Sequence, residues 1–263
     1  MVLKPQKKKN KLNLITYFLK NTSMILHYNS SINWCEPDYV YFSFIAEFWN
    51  SISGLSLIYS SYYFKKNNQI INDNSFITKI LFLLYVVGIG TILFHSTLLY
   101  FFQLFDEIPM LLMAFNYIDL SKSILNVDLN EIESVIRLVT LYAIIFSYFI
   151  LPEYQVLLFM LSFTVCVVYI LFLLIKINKK LDQVTYYDYR IYRIKKYNKI
   201  ISYIFISSFI IWILDSSFCY YVQHLHFHST WHILTSIGLY YLNSIFNEML
   251  HLKTYFKSVK YSF

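Results

Sequence analysis

The sequence predicts an all-α polytopic membrane protein, a bundle of seven transmembrane helices, and three observations predict it. Hydrophobic residues make up 57% of the 263-residue chain and charged residues 14%, against about 45–50% and about 25% in an average soluble domain. The apolar residues fall in long runs near the roughly 20 residues that a helix needs to cross a hydrocarbon core of about 30 Å. A membrane barrel would show short alternating segments instead. Four Gly and four Pro beside 21% aromatics also exclude collagen-like, low-complexity and disordered chains.

Residues 1–38 read as an N-terminal segment. It is basic at Lys7, Lys8 and Lys9, and its apolar patch from Leu12 to Leu19 lacks the length and cleavage site of a signal peptide. Residues 39–252 read as the membrane domain, with spans at about 40–64, 76–99, 104–121, 134–151, 154–176, 200–222 and 229–250, and residues 253–263 as a tail. Orientation follows from basic residues, which short cytosolic loops retain. Lys176, Lys179, Lys180, Arg190, Arg193, Lys195, Lys196 and Lys199 lie between spans five and six, Lys65 and Lys66 between one and two, and Lys253, Lys257 and Lys260 in the tail. The opposite connections, near 100–103, 152–153 and 223–228, carry none. The N-terminus is therefore expected to be lumenal or extracellular and the C-terminus cytosolic. The net charge of +7 then belongs to loops beside an anionic leaflet, and no nucleic-acid partner is expected. Cys35, Cys166 and Cys219 are odd in number and scattered, so no disulfide framework or thiolate metal cage is expected.

Ionisable groups inside spans cost about 2.5–3.5 kcal/mol on insertion scales and usually face the protein interior. Here they are Glu47, His95, Asp106, Glu107, Asp215, His228 and His232. The topology puts His95 at the far end of span two, Asp106 in the first turn of span three, and His228 and His232 at the start of span seven, all in one lumenal layer. His228 and His232 are at i and i+4, the spacing by which one helix face offers two nitrogens to a zinc ion. By themselves they read more readily as interfacial histidines beside His224 and His226. Their joint placement with His95 favours an open three-histidine zinc site, with Asp106 near enough to accept a proton from its water. Thr91 is four residues before His95, on the same helix face. Asn33, Glu36, Asp38 and Glu47 form a second, oxygen-rich cluster of the kind calcium takes, and Glu47 is expected inside span one. Asp215 is read as a hydrogen-bonding group between helices.

These residues sit in stretches that resemble the alkaline ceramidase family, seven-span zinc amidases of a superfamily that includes adiponectin-type receptors and the lipases that remodel GPI anchors. The stretches are Asn33-Trp34-Cys35-Glu36, Ile45-Ala46-Glu47-Phe48-Trp49-Asn50, Gly88-Ile89-Gly90 through Phe94-His95-Ser96-Thr97-Leu98, Gln103-Leu104-Phe105-Asp106-Glu107, Trp212 through Asp215 to Cys219, and Trp231-His232-Ile233-Leu234. The resemblance implies zinc on His95, His228 and His232, Asp106 as acid/base with Thr91 at the position of the family's serine, and calcium on Asn33, the Trp34 carbonyl, Glu36, Asp38 and Glu47. It further implies hydrolysis of the ceramide amide to a sphingoid base and a fatty acid, within an endoplasmic reticulum or Golgi membrane. Two departures stand out. Thr91 adds a methyl to the family's serine, and Asn33 replaces an acidic residue, which lowers the ligand charge available to calcium. The alternatives within the superfamily are a lipid-sensing receptor and a lipid-remodelling hydrolase acting on GPI anchors or esters.

Overall fold

The protein, in a computed structural model that describes residues 29–32, 34–68, 75–127, 131–150, 152–183 and 188–258, is built from helices that turn apolar surface outward as well as inward. The long helices are α1 (Phe48–Asn67), α2 (Ser75–Thr97), α3 (Tyr100–Leu125), α4 (Glu131–Ile150), α5 (Pro152–Asp182), α6 (Tyr189–Ser217) and α7 (Phe227–Ser258). A one-turn helix, Cys219–Val222, and a 3₁₀ turn, Gln223–Leu225, join α6 to α7. Four of these, α2, α3, α5 and α6, are long and apolar enough to cross a membrane. On α5, Leu157, Leu161, Val165, Val168, Phe172 and Ile175 are exposed, the pattern of a helix solvated by lipid rather than water.

Many of the polar residues of α1 and α7 face inward. Asn50, Ser51, Ser53, Ser60 and Ser61 of α1 are buried, as are Ser236, Asn243 and Ser244 of α7. Several join neighbouring helices: Ser60 donates to the Ser236 carbonyl at 2.9 Å, Ser61 to the Leu81 carbonyl at 2.7 Å, and the Tyr117 hydroxyl to Asn243 Oδ1 at 2.9 Å. Such bonds substitute for the hydrophobic drive that lipid does not provide between helices. Small residues bring backbones together: a Cβ built on Gly54 would lie 2.9 Å from the Gly88 carbonyl oxygen, so α1 and α2 touch there.

The boundaries differ from the sequence expectation where backbone bonding overrides hydropathy. Residues 40–47 were expected to begin span one, but α1 starts at Phe48. The preceding residues are tied to the end of α2 instead, with Ala46 N–H on the Ser96 carbonyl and Glu47 N–H on the His95 carbonyl, both at 2.9 Å. Glu47 therefore stands at the mouth of α1, not inside a span. α3 starts at Tyr100, because Leu98 adopts a left-handed turn at φ 50°, and Asp106 falls in its second turn rather than its first. α5 and α6 run past their expected ends to Asp182 and from Tyr189, so most of the basic residues between them are helical. The Asp188 side chain caps α6, accepting from Arg190 N–H at 2.7 Å. Ion pairs gather at the end of the bundle remote from His95: Arg193 with Glu248 at 2.8 Å, Arg137 with Glu133 at 2.5 Å, and Lys122 with Glu133.

Cysteine pairing also departs from expectation. Cys35 and Cys219 form a disulfide, while Cys166 is free and buried. Scattered spacing concealed the pair, since the fold brings together residues 184 positions apart.

Candidate active site

The end of α2, the second turn of α3, and the starts of α1 and α7 converge at one end of the bundle. His95, His228 and His232 are buried there, and one ring nitrogen from each lies within 4.8 Å of the others. Among the described residues this is the one group of three or more His, Cys, Asp or Glu side chains so arranged.

Each imidazole is oriented from behind. His95 Nδ1 lies 2.5 Å from Glu47 Oε2, and a carboxylate only accepts, so Nδ1 carries the proton and the buried Nε2, which has no partner, presents a lone pair. His232 Nδ1 is 2.6 Å from the Ser53 hydroxyl, which itself donates to the Asn50 carbonyl at 2.7 Å. Ser53 must then accept from the imidazole, which frees Nε2 in the same way. His228 stacks on Trp34, ring centroids 3.7 Å apart, and its buried Nδ1 is without a partner. The orphaned nitrogens of His95 and His228, gathered with a nitrogen of His232, fit a zinc ion, with the supporting shell that metal-binding histidines have.

Asp106 approaches from α3. Thr91 Oγ1 lies 2.6 Å from Asp106 Oδ1 and 2.9 Å from the Val87 carbonyl, which pins one carboxylate oxygen and leaves the other clear. Two features permit the approach. Gly90 lets α3 in, since a Cβ there would meet Asp106 N at 2.8 Å. Pro109 lies inside α3 and has no N–H to give the Phe105 carbonyl, so the helix is loosened at the level of Asp106.

The oxygen-rich cluster is gathered in part. Both oxygens of Glu36 accept backbone N–H groups at the start of α1, Trp49 at 2.7 Å and Asn50 at 2.8 Å, so Glu36 caps that helix from outside. Burial pushes the Glu36 carboxyl above its ordinary range, and nearby Glu47 adds to the effect against those two bonds. Glu47 also accepts from Trp34 N–H at 3.2 Å and from Asn50 Nδ2 at 2.9 Å. Asp38 is exposed on the following turn, and Asn33 lies outside the described residues. Asp215 is a bonding group between segments, taking the backbone N–H of Cys35 and of His228.

Sequence reasoning missed Ser53, Asn50 and the second part that Glu47 plays. A signal was present: Glu47, Asn50 and Ser53 recur every three residues, a polar stripe at the start of α1. Because such supporting groups usually contribute about 10–100-fold in metal affinity, Ser53→Ala is expected to weaken zinc binding by about tenfold, read by competition with a zinc chelator. Unchanged affinity would mean that Ser53 merely packs.

Known proteins of similar sequence give the chain its family. Alkaline ceramidase 3 of Mus musculus is 28% identical over 89% of this chain and 89% of its own. Alkaline ceramidase YPC1 of Saccharomyces cerevisiae is 30% identical over 81% of this chain and 74% of its own, and alkaline ceramidase 1 of Homo sapiens is 29% identical over 34% of each. The ceramidase family profile matches residues 27–263, a stretch that holds every residue of the histidine cluster and its supports, and the chain belongs to that family.

Proposed function

We propose that the protein is a zinc-dependent alkaline ceramidase that cleaves the amide bond of ceramide within the membrane, giving a sphingoid base and a free fatty acid. The observation that carries this reading is the buried group His95, His228 and His232 beside Asp106, in a chain of this family. Zinc on the three histidines would supply a Lewis acid for the amide carbonyl and acidify the attacking water. Glu47 and Ser53 hold the His95 and His232 rings in the tautomer that presents Nε2. Asp106, with Oδ1 held at Thr91, takes the water's proton on its other oxygen and returns it to the leaving sphingoid amine. The Thr91 hydroxyl keeps that carboxylate in place. The testing experiment is hydrolysis of a ceramide panel by detergent-purified protein with zinc measured in the same sample; zinc-free protein at full activity would overturn the reading.

Calcium is proposed on Asn33, the Trp34 carbonyl, Glu36, Asp38 and Glu47, where a cation would relieve the repulsion between two buried carboxyls. Calcium affinity follows ligand charge, so Asn33→Asp is expected to lower the calcium concentration for half-maximal activity and Glu47→Gln to raise it. An unaltered calcium response in both would remove these residues from the site.

Seven spans, with the histidine cluster lumenal and the C-terminus cytosolic, are supported by the basic residues at the far end of the bundle. The Cys35–Cys219 pair at the near end also fits, since disulfides persist in oxidising compartments. Endoplasmic reticulum or Golgi membranes suit that arrangement. A protease site inserted beside Asp182 is expected to be cut from the cytosolic side of sealed vesicles, and protection there would reverse the topology.

A further inference from the structure

The carboxyl beside Asp106 has no part in the chemistry above, yet it is among the most heavily bonded groups of the bundle. Glu107 is 7% exposed, and its two oxygens receive three side-chain donors. Gln103 Nε2 donates to Oε1 at 2.8 Å, the Tyr148 hydroxyl to Oε2 at 2.6 Å, and Gln155 Nε2 also to Oε2. The network continues outward. Ser31 donates its backbone N–H to Gln103 Oε1 at 3.0 Å, and its hydroxyl lies 2.8 Å from Gln155 Oε1. The N-terminal segment, α3, α4 and α5 thus meet around one carboxyl, and Gln103 and Gln155 are fully buried.

Successive residues of a helix with 3.6 residues per turn point about 100° apart. Asp106 reaches Thr91 on α2 while Glu107 reaches Tyr148 on α4 and Gln155 on α5, so the two carboxyls brace α3 from different sides. Any rotation or slide of α3 moves both. The brace acts where the helix most needs it, because Pro109 deprives the Phe105 carbonyl of its helical donor one residue before Asp106. An ionisable group in a span is costly and is generally tied to function, and three donors meeting on one carboxyl make a rigid joint rather than a solvated site.

We propose that Glu107 is a positioning residue for the hydrolytic reaction. By fastening α3 to α4 and α5, it holds Asp106 at Thr91 and at the histidine cluster. This rests on Asp106 being the proton-transfer group.

The test uses the full-length, detergent-purified enzyme with Tyr148→Phe, which removes one donor and keeps the ring, and Glu107→Gln, which keeps the size but turns an amide toward the donors. Misplacing a reacting group by about 1 Å costs on the order of 10²-fold. The expected result is a kcat lowered roughly tenfold in Tyr148→Phe and further in Glu107→Gln, with KM and zinc content unchanged. An unchanged kcat, or a loss that falls on KM or on zinc, overturns the proposal. In an Asp106→Asn background Glu107→Gln is expected to cost nothing more, because no base remains to misplace; an equal further loss overturns it as well. If Asp106→Asn has no residual rate to read, the kcat-against-KM split of Tyr148→Phe decides. Wild-type activity in Asp106→Asn alone would instead sink the assignment of Asp106, whatever the Glu107 variants do, so the two failures are told apart.

Discussion

His232→Ala is expected to remove most of the bound zinc and to lower ceramide hydrolysis by more than 100-fold. Three protein ligands leave none to spare in an open tetrahedral site, and about 100-fold is already the upper end for losing a mere supporting group. His232 is the cleanest of the three to remove. His95 holds Glu47 at 2.5 Å and His228 stacks on Trp34, so their loss would also disturb the N-terminal segment, whereas His232 gives up bonds to Ser53 and to the Asn50 backbone, both within α1. Elemental analysis of the purified variant beside its hydrolysis rate checks this, and stoichiometric zinc in the variant would refute the ligand set.

Asp106→Asn is expected to retain zinc and to lose roughly 10²-fold or more in rate, the usual contribution of a positioned general base. The amide keeps an oxygen for the Thr91 hydroxyl, now 2.6 Å from Oδ1, so the side chain stays where it is and only its ability to take a proton is lost. The separation of zinc content from rate is the point of the measurement. Full activity would make Asp106 a structural residue.

Much of this site is readable from spacing. The i, i+4 pair of His228 and His232, and of Thr91 and His95, already puts each pair on one helix face, and the charge pattern aligns the right helix ends. Residues 40–47 misled, because their aromatics carry the hydropathy of a span while the Ala46 and Glu47 N–H groups bond to the end of α2 and Ile45 N–H turns back on the Phe42 carbonyl instead of forming a helix. That error placed Glu47 in a helix and hid its bond to His95. Cys35 and Cys219 could not be paired from spacing, since only the packing of α6 beside the N-terminal segment brings them together. Ser53, Gln103 and Gln155 were unreadable for a different reason: a single hydroxyl or amide within an apolar run has no partner in its own neighbourhood. Their partners, His232, Ser31 and Glu107, come from other helices or from a segment 72 or more residues away, with the exception of the Gln103–Glu107 pair one turn apart.

The link between Cys35 and Cys219 bears on how the molecule is made. It spans 184 residues, and every helix from α1 to α6 lies inside the closed loop. Trp34 and Glu36, which lean on His228 and on the start of α1, are therefore synthesised long before the partner that locks them down. Until the end of α6 has been made, the early segment stands beside an unfinished centre. A chain interrupted before Cys219 carries His95 and Asp106 but neither the clasp nor His228 and His232, so the histidine cluster is complete only once α7 has been made.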